Sequence, residues 1–226
     1  MKKKIIIYST NDKYFSIPIL NDILNKLPKE IDVDIYLDKP SFSRKLKVLL
    51  VFFLFSPLKD FKFIFSGIDK KYLTKNKNIK IIKKIKKNYF CGFIINHTKK
   101  VKITNYNIYN FHVGNLSNQR GSFYYFYKFK YKWSYIDLTF HKIDQHWDKG
   151  SFINSKKINI KKMSAIEICS LYKSNTRFIL TNMLKVLNMM VRYKKIKPGR
   201  LNTEPSYYQI IFVYLKNFFQ CINQAN

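Results

Sequence analysis

The sequence predicts an α/β fold: a Rossmann-like, mostly parallel sheet flanked by helices, with a short C-terminal extension. Three observations carry this. Strand-length apolar runs alternate with helix-period stretches over the first two-thirds of the chain. The 226 residues contain no internal repeat and no flexible low-complexity linker, and the length suits one domain. Hydrophobic residues make up 46% and aromatics 17%, enough for a sizeable core, which argues against wholesale disorder.

The elements follow in order. Lys3 to Ser9 is a short apolar run with the texture of a buried first strand. Ile17, Leu20, Ile23, Leu24 and Leu27 then recur at helical spacing until Pro28 stops them. Ile31 to Leu37 alternates apolar and polar residues, a strand signature. A helical stretch around Arg44 to Phe55 comes next, then a strand-like Phe61 to Gly67 and a basic, helix-compatible Ile79 to Lys87. Asn88 to Ile95 reads as another apolar strand. This β-α-β order predicts a mostly parallel sheet with helices on both faces and a ligand site beyond the strands' carboxyl ends. From Ile108 the texture changes: a short strand runs into a polar turn, and Ser134 to Asp144 reads as a longer strand. Ser164 to Arg192 is a long helical pattern with a Ser cap, broken by Pro198-Gly199. Tyr207 to Phe219 is apolar and aromatic, suited either to a last helix on the core or to an oligomerisation element.

Charge invites a nucleic-acid reading, since the formal net charge is +30. Its make-up points elsewhere. Lys contributes 38 and Arg only 5, beside abundant Ile, Asn, Phe and Tyr, all with A/T-rich codons. Much of the charge is therefore read as codon bias. It would still attract anionic ligands. The three cysteines (Cys91, Cys169, Cys221) show no metal-ligand spacing, and their odd number suits a reducing compartment. The most apolar run, Val48 to Phe55, is far shorter than the roughly 20 residues a membrane span needs. A cytoplasmic protein is expected.

Several chemistries are excluded by what the motifs lack. Ser9 to Lys13, after the first strand, contains no glycine, so it cannot form a phosphate-cradling loop. His97, His112, His141 and His146 lack zinc spacing, and there is no G-x-S-x-G elbow. No metal is expected. The informative stretch is Asn110-Phe111-His112, then Arg120-Gly121, then Asp148-Lys149-Gly150. Residues i and i+2 of a strand share a face, so Asn110 and His112 point into one cleft. An amide donor beside an imidazole stabilises a developing oxyanion and moves a proton, and a loop carboxylate orients the ring. A capping Asn, a structural His and a turn Asp fit the same spacing.

Residues 110–121 (NFHVGNLSNQRG) and 137–153 (DLTFHKIDQHWDKGSFI) together resemble the folate-dependent formyltransferase domain. Asn110, His112, Arg120, Gly121, Thr139, His141, Asp148 and Gly150 match its pattern, and the resemblance covers roughly 85 to 190. The start, YSTNDKYFSIPIL, is similar to the first strand and turn of the tRNA and sugar branches. Two positions depart from the pattern: Val113 stands where Pro is common, and Asn115-Leu116-Ser117 replaces a Leu-Leu-Pro turn. The resemblance implies the formyltransferase fold, 10-formyltetrahydrofolate as donor and a primary amine as acceptor. It makes Asn110, His112 and Asp148 catalytic. It puts the folate near Gly92, Phe93, Ile94, Ile95, His97, Asp144, His146 and Trp147. Arg120 and Gly121 fall on the substrate side, with Arg120 either anchoring the turn through carbonyls or meeting a phosphate. His141 is read chiefly as structural. The basic-aromatic run Phe123 to Trp133 is read as a core-packed helix with solvated lysines rather than a nucleic-acid patch.

Among the family's branches, the purine enzyme needs a glycine-rich loop that Ser9 to Lys13 does not supply. The tRNA enzyme carries a further C-terminal domain. The sugar branch fits best, with residues 1–193 as catalytic domain and 194–226 as an extension suited to homodimer contacts. The implied partner is a nucleotide-linked amino sugar of surface-glycan (O-antigen, lipopolysaccharide) synthesis, with no specific nucleic acid and no membrane span. A truncated methionyl-tRNA formyltransferase-like RNA-binding enzyme and a catalytically silent binding protein are the alternatives.

Overall fold

A computed structural model of the chain describes residues 3–12, 15–61, 78–85, 88–97, 101, 105–144, 150–199 and 201–225. Its centre is a seven-stranded sheet of order β3-β2-β1-β4-β5-β7-β8. The strands are β1 (Lys4–Thr10), β2 (Asp32–Asp38), β3 (Ile79–Ile82), β4 (Cys91–Ile95), β5 (Asn107–Val113), β7 (Tyr135–Lys142) and β8 (Phe152–Asn159). The first five are parallel; β7 and β8 run antiparallel. A separate two-residue pair joins β6 (Arg120–Gly121) to β9 (Leu201–Asn202). The helices are α1 (Ser16–Leu24), α2 (Phe42–Phe55), α3 (Tyr124–Tyr131), α4 (Ala165–Cys169), α5 (Leu171–Ser174), α6 (Thr176–Leu187) and α7 (Tyr207–Ala225). A 3-10 turn covers Leu58–Asp60.

Strand β1 is buried on both faces, as a central parallel strand must be, so Ile5, Ile6, Ile7 and Tyr8 read as a continuous apolar run. One large cluster joins one face of the sheet to Leu20 of α1, Phe52 of α2, Phe126 of α3 and Met183 of α6. The other face carries a smaller cluster built on Ile6, Tyr8, Tyr89, Ile94 and Ile108. Among the described residues, no helix is long and apolar enough to cross a membrane.

Three sequence expectations need correction. Ile79 to Ile82 is strand β3, not part of a basic helix. Three β-branched isoleucines pair with β2, and Lys80 faces solvent on the sheet's edge, where a lysine discourages further pairing. Strand β8 was not foreseen, because its segment FINSKKIN lies at the other edge and carries exposed Lys156 and Lys157 instead of clean alternation. The long helix from Ser164 is three helices. Ser164 forms a full capping box with Glu167. The Ser170 hydroxyl then bonds the Glu167 carbonyl, and the Asn175 amide bonds that of Leu171, so side chains compete with the backbone ladder at both breaks. The strand expected at Phe61 to Gly67 falls mostly on 62–77, outside the described residues.

The tail from Lys194 onward wraps back over the domain. Lys194 bridges to Phe152, β9 pairs with β6, and α7 contacts α2 and α3. Ile210 and Val213 of α7 are buried, while Tyr208, Phe212, Leu215 and Phe219 remain exposed.

Candidate functional site

Successive units run outward from β1 in one direction to β3, and β4 then starts on the opposite side of β1. Such a reversal leaves a crevice at the strands' carboxyl ends. A cleft of about 770 Å³ opens there, of ordinary size for a small-molecule site. Thr10 ends β1 and Asn11 and Asp12 follow it, Asn96 and His97 follow β4, and Asn110 and His112 come from β5. Its apolar side is made by Phe15, Phe52 and Tyr172.

One bank is built by β5 and β7. Asn110 lies opposite His141 in the antiparallel register, and His112 lies opposite Thr139. The Asn110 amide donates to Nε2 of the fully buried His141 at 3.2 Å. That nitrogen therefore accepts, and one amide hydrogen of Asn110 is committed to it. Nε2 of His112 donates to the Gln119 carbonyl at 3.0 Å. A carbonyl only accepts, so His112 gains or loses its second proton at Nδ1.

The turn after His112 is closed by a set of hydrogen bonds in which side-chain amides take a large part. Gly114 N donates to the Asp137 carbonyl, and the Thr139 hydroxyl donates to the Gly114 carbonyl. Asn115 donates to the Asp137 carboxylate at 2.7 Å and accepts from Ser117 N at 2.8 Å, while the Gln119 amide reaches the Tyr135 carbonyl. Side-chain amides thus do the closing that a proline would otherwise assist. Gly114 has φ +147°, and a Cβ there would sit 2.0 Å from the Gln119 oxygen and 2.6 Å from His112 Nε2. Only glycine lets the turn come this close.

His97, already expected at the site, forms a buried pair with Asp38, which the sequence did not single out. His97 Nδ1 is 3.1 Å from both an Asp38 carboxylate oxygen and the Ser9 carbonyl. The Ser9 carbonyl only accepts, so the ring carries its proton on Nδ1, with the Asp38 carboxylate close beside it. Asp38 ends β2 and His97 follows β4, so the signal was positional: polar residues at the carboxyl ends of central parallel strands.

The opposite bank is the first half of α2. Arg44 and Lys45 line the cleft, as does Glu204 from the strap between β9 and α7. Arg44 Nη1 meets Glu204 Oε2 at 2.8 Å, and Lys47 Nζ meets Oε1 at 3.0 Å. The Arg44 guanidinium lies over the Phe123 ring, 4.8 Å from its centroid. Cys169 also lines the cleft, and burial, with the nearby Asp12 charge, holds its thiol well above the usual range.

The structure brings Asn110, His112, His97 and Gly121 to this cleft. Gly92, Phe93, Ile94 and Ile95 are buried within β4 and are not part of its lining, and Asp144 is exposed elsewhere. Arg120 is buried and donates to the Gly199 carbonyl, tying β6 to the returning tail. Asp148, His146 and Trp147 lie outside the described residues. Among the described residues, no cluster of His, Cys, Asp and Glu is arranged to hold a metal ion.

No protein-family model and no curated protein matches the sequence. Solved structures do match. A 4-N formyltransferase from Francisella tularensis superposes with TM-score 0.58 over 94% of this chain and 86% of its own, at 19% identity. An N-formyltransferase from Helicobacter canadensis, in complex with folinic acid and dTDP-3-aminofucose, gives 0.61 over 90% and 71%, at 17% identity. A methionyl-tRNA formyltransferase from Clostridium thermocellum gives 0.57 over 94% and 81%, at 12% identity. The chain has the fold these enzymes share.

Proposed function

We propose that this protein is an N-formyltransferase that moves the formyl group of 10-formyltetrahydrofolate to the primary amine of a nucleotide-linked amino sugar. The observation that carries the reading is the pair Asn110 and His112, side by side on one strand face in the switch-point cleft of a formyltransferase fold. Folinic acid and dTDP-3-aminofucose bound to the Helicobacter canadensis protein support the choice of donor and acceptor class. The cleft fits such ligands: it has an apolar wall for a flat ring and polar strand ends for the reacting groups.

In this reading the donor supplies an activated formyl carbonyl. Asn110 holds one amide hydrogen on His141 and directs the other to the carbonyl oxygen, where negative charge develops as the amine attacks. His112, its Nε2 held by the Gln119 carbonyl, protonates the tetrahedral oxyanion from Nδ1; as the intermediate collapses the carbonyl re-forms, the formyl–N10 bond breaks, and tetrahydrofolate leaves with a proton on N10. Asp148, by resemblance, sets the protonation state of His112 and helps take the amine proton. Nothing in this scheme needs a metal. A role in surface-glycan synthesis follows from the acceptor class.

The test is a panel of acceptors with 10-formyltetrahydrofolate: dTDP-, UDP- and GDP-linked amino sugars, glycinamide ribonucleotide and methionyl-tRNA. Tetrahydrofolate release and product mass are read out. Turnover with one nucleotide sugar is expected. Turnover with charged tRNA alone would overturn the acceptor, and absence of both turnover and folate binding would overturn the enzyme.

A further inference from the structure

The α2 bank carries more positive charge than its neighbours answer. Arg44, Lys45 and Lys47 crowd into four positions near the start of α2, which has no acidic residue in its first turn. Cations there oppose the helix dipole and repel one another, so helix stability does not account for them. One carboxylate, Glu204, answers two of the three. Lys45 is exposed on the cleft and makes no ion pair among the described residues.

Glu204 arrives from far along the chain, and its backbone is held on both sides. β9 is paired with β6, the Tyr127 hydroxyl donates to the Thr203 carbonyl, and the Tyr207 hydroxyl donates to the Ser43 carbonyl at 3.1 Å. Its side chain is one-third exposed, and among the described residues its ion pairs are with these two cations. Arg44 also lies over the Phe123 ring, a contact that does not involve the carboxylate. This is an anion site with an internal occupant on a rotatable side chain.

We infer that Glu204 is a resident counter-ion of an anion site formed by Arg44, Lys45 and Lys47, and that the diphosphate of the acceptor displaces it. The inference rests on the acceptor class proposed above. A diphosphate brings more than one negative charge and several acceptor oxygens, so it can satisfy Lys45 as well as the two residues Glu204 now serves. Glu204 then competes with ligand, keeping the site compact when empty and lowering its apparent affinity by the cost of its own release. The folate's glutamyl carboxylates share this chemistry, so the test separates the two sources.

The experiment is calorimetric titration of dTDP, thymidine and folinic acid into the wild type, Glu204→Gln, Glu30→Gln and the double variant Arg44→Ala/Lys47→Ala, with circular dichroism melts to establish folding. Glu30 is an exposed carboxylate between α1 and β2, so Glu30→Gln makes the same change in net charge. Glu204→Gln is expected to tighten dTDP about fivefold, the scale of one partly exposed ion pair. Thymidine and Glu30→Gln should show no such gain, and the double variant should weaken dTDP at least about tenfold. The inference fails if Glu204→Gln leaves dTDP binding unchanged or weaker, if Glu30→Gln matches it, or if folinic acid is the ligand that tightens. These readouts need no formyl transfer. Loss of the proposed reaction with the fivefold gain intact would sink only the reaction; sugar formylation without the gain would sink only the counter-ion.

Discussion

The two banks of the cleft are held by different physics. The β5–β7 bank is tied through backbone: Asn110 and His112 sit in strand register, and His112, Gly114 and Thr139 each bond a main-chain atom of this bank. The α2 bank meets its counter-charge through side chains, with one carboxylate between two long cations. Backbone anchoring fixes a group within the small tolerance that bond-making demands. Side-chain ion pairs are weak and exchangeable, which suits a place where one anion gives way to another. The division assigns chemistry to one bank and capture to the other.

The sharpest way to break that division is His112→Ala. If the β5 bank does the chemistry, the proposed formyl transfer falls on the order of 10²–10⁴-fold in a variant that still folds cooperatively. Near-normal turnover would end the assignment. Gly114→Ala attacks the anchoring itself. A Cβ 2.0 Å from the Gln119 oxygen forces the turn open, costing ~2 kcal/mol or more and lowering Tm by about 5–10 °C, with His112 displaced as well. A fully stable, active variant would show the turn is not what positions His112. His141→Ala sharpens the comparison further, since His141 accepts from and so orients Asn110. It should lower kcat about tenfold with little change in KM, and His141→Gln, whose carbonyl still accepts, should recover part of the loss. Equal losses in both variants would mean the ring matters only for packing.

Smaller effects are expected on the other bank. Arg44→Ala should cost only about 1 kcal/mol in a denaturant titration, because its partner is one-third exposed and its stacking on Phe123 adds modestly. A loss several times larger would show this bank to be structural. The least perturbing probe is alkylation at pH 8. Burial pushes the Cys91 thiol up to about 12 and raises that of Cys169 further still, so neither offers appreciable thiolate. Iodoacetamide should label Cys221 alone in the native protein. Rapid labelling of Cys169 would show the cleft wall opening.

Much of the architecture was legible because it rests on local periodicity. The buried β1 run, the α1 spacing ended by Pro28 and the β2 alternation each declare themselves within a few residues. The Asn110–His112 pair was legible for the same reason, since sharing a face needs only the strand's period of two. Edge strands β3 and β8 were not, because solvent on one side lets lysine replace the pattern that defines a central strand. The breaks at Ser170 and Asn175 were hidden by a helical apolar spacing that continues across both of them.

By itself, then, the sequence determined the central strands and first helices, the strand face that carries the amide and imidazole, and the lack of a glycine-rich phosphate loop after β1. Only the tertiary structure decided which distant groups meet. His141 reaches Asn110 through antiparallel register, Asp38 reaches His97 because β1 separates β2 from β4 in the sheet, and Glu204 reaches Arg44 and Lys47 across 160 and 157 positions of chain. The reason is physical. Periodicity records which way a side chain points, whereas a hydrogen bond or ion pair between remote segments depends on the path of all the chain between them.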